Sequence, residues 1–144
     1  RPMLSTVMDD VFVGRIMSSP VTTVAADANA KAVAKRMLDE NISSVVVVDA
    51  DGALLGILTS TDFVEIAAKG GDTAGLDVSE FMTTDLVTVT ANDPVEAAAS
   101  VMLDHSVHHL PVVDETEGVV GMLTTTDMTA YVSGIEQSSA PVLG

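Results

Sequence analysis

This chain is written twice. Sliding the sequence against itself by 65 residues aligns 13–63 with 78–128 without a gap, and 18 of the 51 aligned positions are identical. Unrelated stretches would share roughly 3 or 4 at ordinary residue frequencies. The matches come in runs. Val13 falls on Val78, Met17 on Met82, Thr23-Val24 on Thr88-Val89, and Met37-Leu38-Asp39 on Met102-Leu103-Asp104. Val47-Val48-Asp49 falls on Val112-Val113-Asp114, Gly56 on Gly121, Leu58-Thr59 on Leu123-Thr124, and Thr61-Asp62 on Thr126-Asp127. Such a duplication implies two copies of one supersecondary unit, each too small to bury its own sheet face.

Both copies read as β-α-β-β-α. Residues 20–24 and 85–89 are short extended pieces. Ala30, Val33, Ala34, Met37 and Leu38 stand at i, i+3, i+4, i+7 and i+8, the apolar stripe of a helix, and Val95, Ala98, Ala99, Met102 and Leu103 repeat it. Asp27 and Asn92 are the expected N-caps, with Pro94 in the first turn. Ser43–Val48 is a nearly continuous β-branched run, which predicts a strand buried on both faces. Asp51-Gly52 predicts a turn, Leu54–Leu58 a second strand, and Thr61 onward a helix ending before Gly70-Gly71. The expected organisation is an N-terminal extension over 1–11, repeat 1 over 12–69, a linker over 70–76, repeat 2 over 77–133 and a tail over 134–144. The fold class is α+β, with the two repeats packed through their sheets about a pseudo-twofold axis.

Composition removes several function classes. The chain has 21 acidic and 6 basic residues in 144, a net charge of −15, and no cysteine. Disulfide scaffolds, thiolate metal sites and cysteine catalysis are excluded. That charge argues against broad nucleic-acid binding, which needs a basic footprint. No apolar run approaches the roughly 18–20 residues of a membrane helix, and no signal peptide is seen, so a cytoplasmic location is expected. The start at Arg1-Pro2 leaves open that the chain is part of a longer one. Asp outnumbers Glu 14 to 7 and there are 3 Lys. This reads as adaptation to molar salt, as in a halophilic archaeon, where screening acts within about 3 Å. No catalytic triad, paired-carboxylate site, Walker loop or Rossmann loop is present, so no enzyme activity is expected.

The duplicated ending Gly-apolar-apolar-Thr-x-x-Asp, Gly56–Asp62 and Gly121–Asp127, resembles the signature of a tandem pair of CBS domains. So do the starts Met17-Ser18-Ser19-Pro20 and Met82-Thr83-Thr84-Asp85, and the run His109-Leu110-Pro111-Val112-Val113-Asp114. The resemblance covers about 13–133. It implies a regulatory module that binds an adenosine ligand in clefts between the repeats, forms a homodimer and controls an unidentified partner protein. A ligand-free dimerisation or scaffold module is the alternative.

The residues themselves agree with this chemistry. Thr-x-x-Asp stands where a strand ends and a helix begins, and the free N–H groups of a helix N-terminus suit phosphate. Thr59, Thr61, Thr124 and Thr126 are candidate phosphate contacts, and Asp62 and Asp127 candidate ribose acceptors. Plain helix capping explains the same spacing, and both roles can coexist. Thr22, Thr23, Val24 and Val45, with Val87, Thr88, Val89, Leu110 and Pro111, are candidates for the base slot through backbone groups or an apolar surface; core packing is their other reading. The resemblance adds His108 and His109 as phosphate contacts, with polar strand-edge positions as their other reading, and places Arg15 near the ligand. The matching positions in the other copy are Ser43, Ser44 and Glu80, so the two clefts should differ. Spacing does not aim His105, His108 and His109 at one metal ion, and no cofactor is required. Few cations are available to clamp a triphosphate, which favours AMP or ADP, or cationic S-adenosylmethionine, over ATP.

Overall fold

A computed structural model of the chain describes residues 11–71 and 73–134. In chain order the regular elements are α1 (Val13–Ile16), β1 (Thr23–Ala25), α2 (Ala30–Glu40), β2 (Ser44–Val48), β3 (Leu54–Thr59), α3 (Ser60–Ala68), α4 (Val95–His105), β4 (His109–Asp114), β5 (Gly118–Thr124) and α5 (Thr125–Ser133). Single 3-10 turns occupy Thr73–Gly75 and Val78–Glu80. The β-α-β-β-α reading holds for the first copy; in the second the helix, the two hairpin strands and the last helix form, and the first strand does not. None of the described helices is long and apolar enough to cross a membrane.

The two compact units are not the two repeats taken whole. One unit is 21–86; the other joins 11–20 to 87–134. The start of each repeat therefore packs with the strands of the other repeat. Val78, at the start of repeat 2, is fully buried among Ala30, Val33, Met37, Val45, Val47 and Leu58 of repeat 1. Val13, its match at the start of repeat 1, is fully buried among Ala98, Met102, Leu110, Val112 and Leu123 of repeat 2. The extension and tail expected at the chain ends lie outside the described residues, apart from Val11 and Gly134. The Gly70–Leu76 linker is tied to the 21–86 unit: Ala30 N–H donates to Leu76 O at 2.8 Å, and Asn29 Nδ2 to Ala74 O at 2.8 Å.

Duplicated glycines make the exchange possible. Ser18 and Met122 trade backbone hydrogen bonds of 2.8 and 2.9 Å, and Thr83 and Ile57 trade bonds of 2.9 and 3.0 Å. These pairings lay Met17-Ser18 over Gly121, and Met82-Thr83 over Gly56. A Cβ on Gly121 would stand 2.5 Å from Met17 Sδ and 3.0 Å from Ser18 O; one on Gly56 would stand 2.7 Å from Met82 Sδ and 2.8 Å from Thr83 O. Only a residue without a side chain lets the second strand come this close.

In the 21–86 unit the sheet order is β1-β2-β3, with β1 parallel to β2 and β2 antiparallel to β3. Val45, Val46 and Val47 are all at most 1% exposed, so β2 is buried on both faces, as its β-branched run predicts. The other unit has a two-stranded sheet, β4-β5, and the extended piece expected at 85–89 reduces to one parallel bridge, Val89 to Val112. Proline supplies the reason. Val46 N–H donates to Thr22 O at 2.9 Å, and the residue matching Val46 is Pro111, which has no N–H to offer Val87. A Pro111→Val variant is expected to extend that bridge into a ladder. Hydrogen exchange should then show a protected amide at position 111; free exchange there would refute the explanation.

Three details of the helices differ from expectation. Leu38 and Leu103 are 82% and 81% exposed. At roughly 100° per residue, each lies a quarter-turn beyond Met37 or Met102, outside the buried stripe. The N-caps fall two residues later than Asp27 and Asn92. Asn29 Oδ1 accepts from Ala32 N–H at 3.1 Å, and Pro94 directly precedes α4 instead of lying in its first turn. The intervening residues are used in turns, Ala28 N–H to Ala25 O and Thr90 N–H to Asp93 Oδ2. Finally, α3 begins at Ser60 and not Thr61, because Thr59 takes the cap position.

Candidate functional site

Each hairpin ends in the same construction: a threonine closes the last strand and an aspartate stands one turn into the helix that follows. Thr59 N–H donates to Asp62 Oδ2 at 2.7 Å, and Thr59 Oγ1 to the same oxygen at 3.4 Å. Thr124 N–H donates to Asp127 Oδ2 at 2.9 Å, and Asp127 N–H donates back to Thr124 Oγ1 at 3.1 Å. Helix capping is thus realised at both places. The same bonds fix the carboxylates at the helix N-termini. All four residues are half-buried, while Thr61 and Thr126 are exposed beside them.

The second carboxylate oxygens differ. Ser18 Oγ donates to Asp127 Oδ1 at 3.3 Å, whereas Asp62 Oδ1 accepts no hydrogen bond among the described residues. Ser18 was not among the expected site residues. Its signal in the sequence is its place directly after the duplicated Met17, but only the exchange shows that it meets Asp127, 109 residues away.

The candidate residues sort by unit. Thr22, Thr23, Val24, Val45, Thr59, Thr61 and Asp62 lie in the 21–86 unit. Arg15, Val87, Thr88, Val89, His108, His109, Leu110, Pro111, Thr124, Thr126 and Asp127 lie in the other. Arg15 belongs to repeat 1 by sequence, yet its helix α1 packs on α5 and β5. His108 O accepts from Thr125 N–H at 3.1 Å, and His109 stands opposite Thr124 in the β4–β5 ladder. At the equivalent place, Ser43 O accepts from Ser60 N–H at 3.0 Å and Ser44 stands opposite Thr59.

The base-slot residues divide between core and surface. Val45, Val89 and Leu110 side chains are core, at most 5% exposed, so these three can reach a ligand only through backbone groups. Pro111 is buried as well, while Thr23 and Thr88 are exposed. His105 Nδ1 lies 3.1 Å from Val101 O on its own helix. No group of three metal-ligating side chains occurs among the described residues.

A groove lies at the opposite, hairpin end of each sheet. One, of about 450 Å³, is lined by Thr23–Asp27, Val48–Ala50 and Leu55. The other, of about 580 Å³, is lined by Thr90–Asn92, Val113–Glu117 and Val120. Thr23 and Val24 are the only candidate residues on either wall. In the second groove the Thr116 hydroxyl, then the Thr116 and Glu117 N–H groups, hold the exposed Asp114 carboxyl below its ordinary pKa. These bonds build the turn itself.

A family model for the CBS domain matches residues 13–69 and again 78–134. The chain belongs to the CBS domain family. It carries two such domains in tandem, and solved structures of CBS pairs share its fold. The CBS domain pair of protein MJ0100, in complex with 5′-methylthioadenosine and S-adenosyl-L-methionine, is 30% identical with a TM-score of 0.77, covering 85% of this chain and 99% of that one. The CBS domain of a membrane protein from Sphaerobacter thermophilus is 31% identical with a TM-score of 0.76, covering 90% and 92%. Among curated proteins, the L-aspartate semialdehyde sulfurtransferase of Methanocaldococcus jannaschii is 31% identical over 134 residues, which are 93% of this chain and 25% of the relative. The homoserine O-acetyltransferase of Methanococcus vannielii is 28% identical over 127 residues, 88% of this chain and 26% of the relative. The chain thus spans about a quarter of the length of these curated relatives.

Proposed function

We propose that this CBS pair is a regulatory sensor of an adenosine ligand, with one site in each unit, and that it controls a partner protein without catalysing a reaction. One observation carries the reading. An aspartate fixed by a capping box at a helix N-terminus occurs twice, in a chain 30% identical to a CBS pair solved with two adenosine compounds. Asp62 and Asp127 accept the ribose diol, and the first-turn N–H groups with Thr59, Thr61, Thr124 and Thr126 hold the 5′ substituent. Thr22–Val24 and Val87–Val89 offer backbone groups to the base. The acidic surface favours ligands of low negative charge: methylthioadenosine, S-adenosylmethionine, AMP and ADP rank ahead of ATP. The curated relatives bear enzyme names over a length four times that matched here, which supports a regulatory module serving catalysis located elsewhere. Exposed Leu38, Leu103, Val64 and Val132 support association into a homodimer. A cytoplasmic location belongs to the same reading.

Thermal melting at molar salt with each of these five ligands tests the proposal. A ligand at 100 times its Kd stabilises by about 2.7 kcal/mol. Asp62→Ala and Asp127→Ala are each expected to remove the ligand-induced shift at one site. Each also loses the carboxylate that accepts the Thr59 or Thr124 N–H in its capping box, so the shift must be read against the ligand-free variant. No shift with any of the ligands would refute the proposal and leave the scaffold reading.

A further inference from the structure

We infer that two copies of this chain associate through unlike helices: α2 of one copy seats on α4 of the second. This rests on the homodimer reading and names the faces that meet. It does not depend on the adenosine sites.

The two helices are matched copies with different outward charge. Leu38 on α2 and Leu103 on α4 occupy the same place in the repeat, and they are 82% and 81% exposed. One bare leucine is ordinary on a protein surface. Here the same large side chain is left uncovered twice, each time one residue past a buried methionine, Met37 or Met102. At about 100° per residue, the residues three and seven positions before each leucine share its face, and the residue after it borders that face. On α2 these are Lys35, Lys31 and Asp39; on α4 they are Ser100, Glu96 and Asp104. All six are exposed. Lys35 pairs with Asp39 on its own helix at 3.2 Å, which leaves Lys31 as the uncompensated charge beside Leu38. Glu96 and Asp104 form no ion pair among the described residues, so the face of Leu103 carries two uncompensated carboxylates.

These charges sort the ways two copies can meet. α4 against α4 would bring four carboxylates together, and α2 against α2 would bring the two Lys31 side chains together. α2 against α4 sets cation against carboxylate around a centre made by the two leucines, and complementarity of this kind suppresses the wrong pairings. Copies of a chain with net charge −15 repel one another over most of their surface. Three of its six basic residues, Lys31, Lys35 and Arg36, stand on α2, where that repulsion is relieved. Two-fold symmetry makes the contact reciprocal: where α2 of one copy meets α4 of the other, α4 of the first meets α2 of the second.

The test uses the full chain at one fixed salt concentration and follows self-association by sedimentation. Two variants reverse one face each, Lys31→Glu/Lys35→Glu and Glu96→Lys/Asp104→Lys. The charges of a face change together, so the result does not depend on whether the helices run parallel or antiparallel. Each variant alone is expected to dimerise about tenfold more weakly, because its reversed face meets a like face on its twin. The second variant is the sharper of the two. It lowers the net negative charge, so general repulsion alone would tighten its dimer. An equal mixture of the variants should regain the affinity of the unmodified chain, since each then offers the charge the other lacks. Native mass spectrometry with one partner isotope-labelled should show heterodimer in excess of both homodimers. Leu38→Ala should weaken dimerisation at least about tenfold and leave unfolding of the dilute monomer unchanged. If Glu96→Lys/Asp104→Lys dimerises as well as the unmodified chain, or the mixture sorts into homodimers, the pairing of α2 with α4 is overturned and the homodimer stands. A chain that stays monomeric at every concentration would overturn the homodimer reading, and the pairing with it.

Discussion

Gly121→Ala is expected to lower stability by about 1–3 kcal/mol, the cost of overpacking a close contact. For a chain of this size that is a fall in Tm of roughly 2–12 °C. A surface glycine-to-alanine change on a strand would do the reverse, because alanine loses less backbone entropy. The added methyl meets Met17 Sδ at 2.5 Å and Ser18 O at 3.0 Å. Methionine can swing away, but the Ser18 carbonyl is held by its bond to Met122 N–H at 2.9 Å. Gly56→Ala faces the same problem against Thr83 O at 2.8 Å. The contact is testable as a pair: Met17→Ala combined with Gly121→Ala should cost less than the sum of the single changes, since neighbours couple. Strict additivity in denaturant melts would mean that Met17 does not lie over Gly121.

Val13→Ala carries the second large effect, about 1.5–3 kcal/mol for a fully buried valine. Its location is the sharper part of the expectation. Val13 belongs to repeat 1 by sequence but packs among Ala98, Met102, Leu110, Val112 and Leu123. Hydrogen exchange should therefore show protection lost first in β4 and β5, and not in β2 and β3. Val78→Ala should show the mirror result, loosening β2 and β3 of the 21–86 unit. Loss confined to the variant's own repeat would contradict the exchange.

Much of the local architecture was legible because it depends on short-range chemistry. The β-branched run at 44–48 made a doubly buried strand, and Thr-x-x-Asp made capping boxes, since both follow from spacing alone. The helix stripes were right for Ala30, Val33, Met37 and their partners, and too wide by one residue at Leu38 and Leu103. A periodicity cannot see where its buried arc stops. The shortened sheet of the second copy was also within reach of the sequence, through Pro111, once the matched Val46 was known to donate a ladder bond.

The sequence alone determined the duplication, the order of elements apart from the second copy's first strand, and the family resemblance, because repeats and hydrophobic periods are properties of the string. It placed the two aspartates at helix starts for the same reason. Which start meets which sheet is a matter of long-range contact, and only the tertiary structure decided it. Met17 and Met82 match each other, as do Gly56 and Gly121, so the string fits either pairing equally well. The bonds of Ser18 with Met122 and of Thr83 with Ile57 choose the exchanged one. That choice puts Arg15 in the unit that holds the histidines and Glu80 in the unit that holds Ser43 and Ser44, so the two copies end in units of different composition.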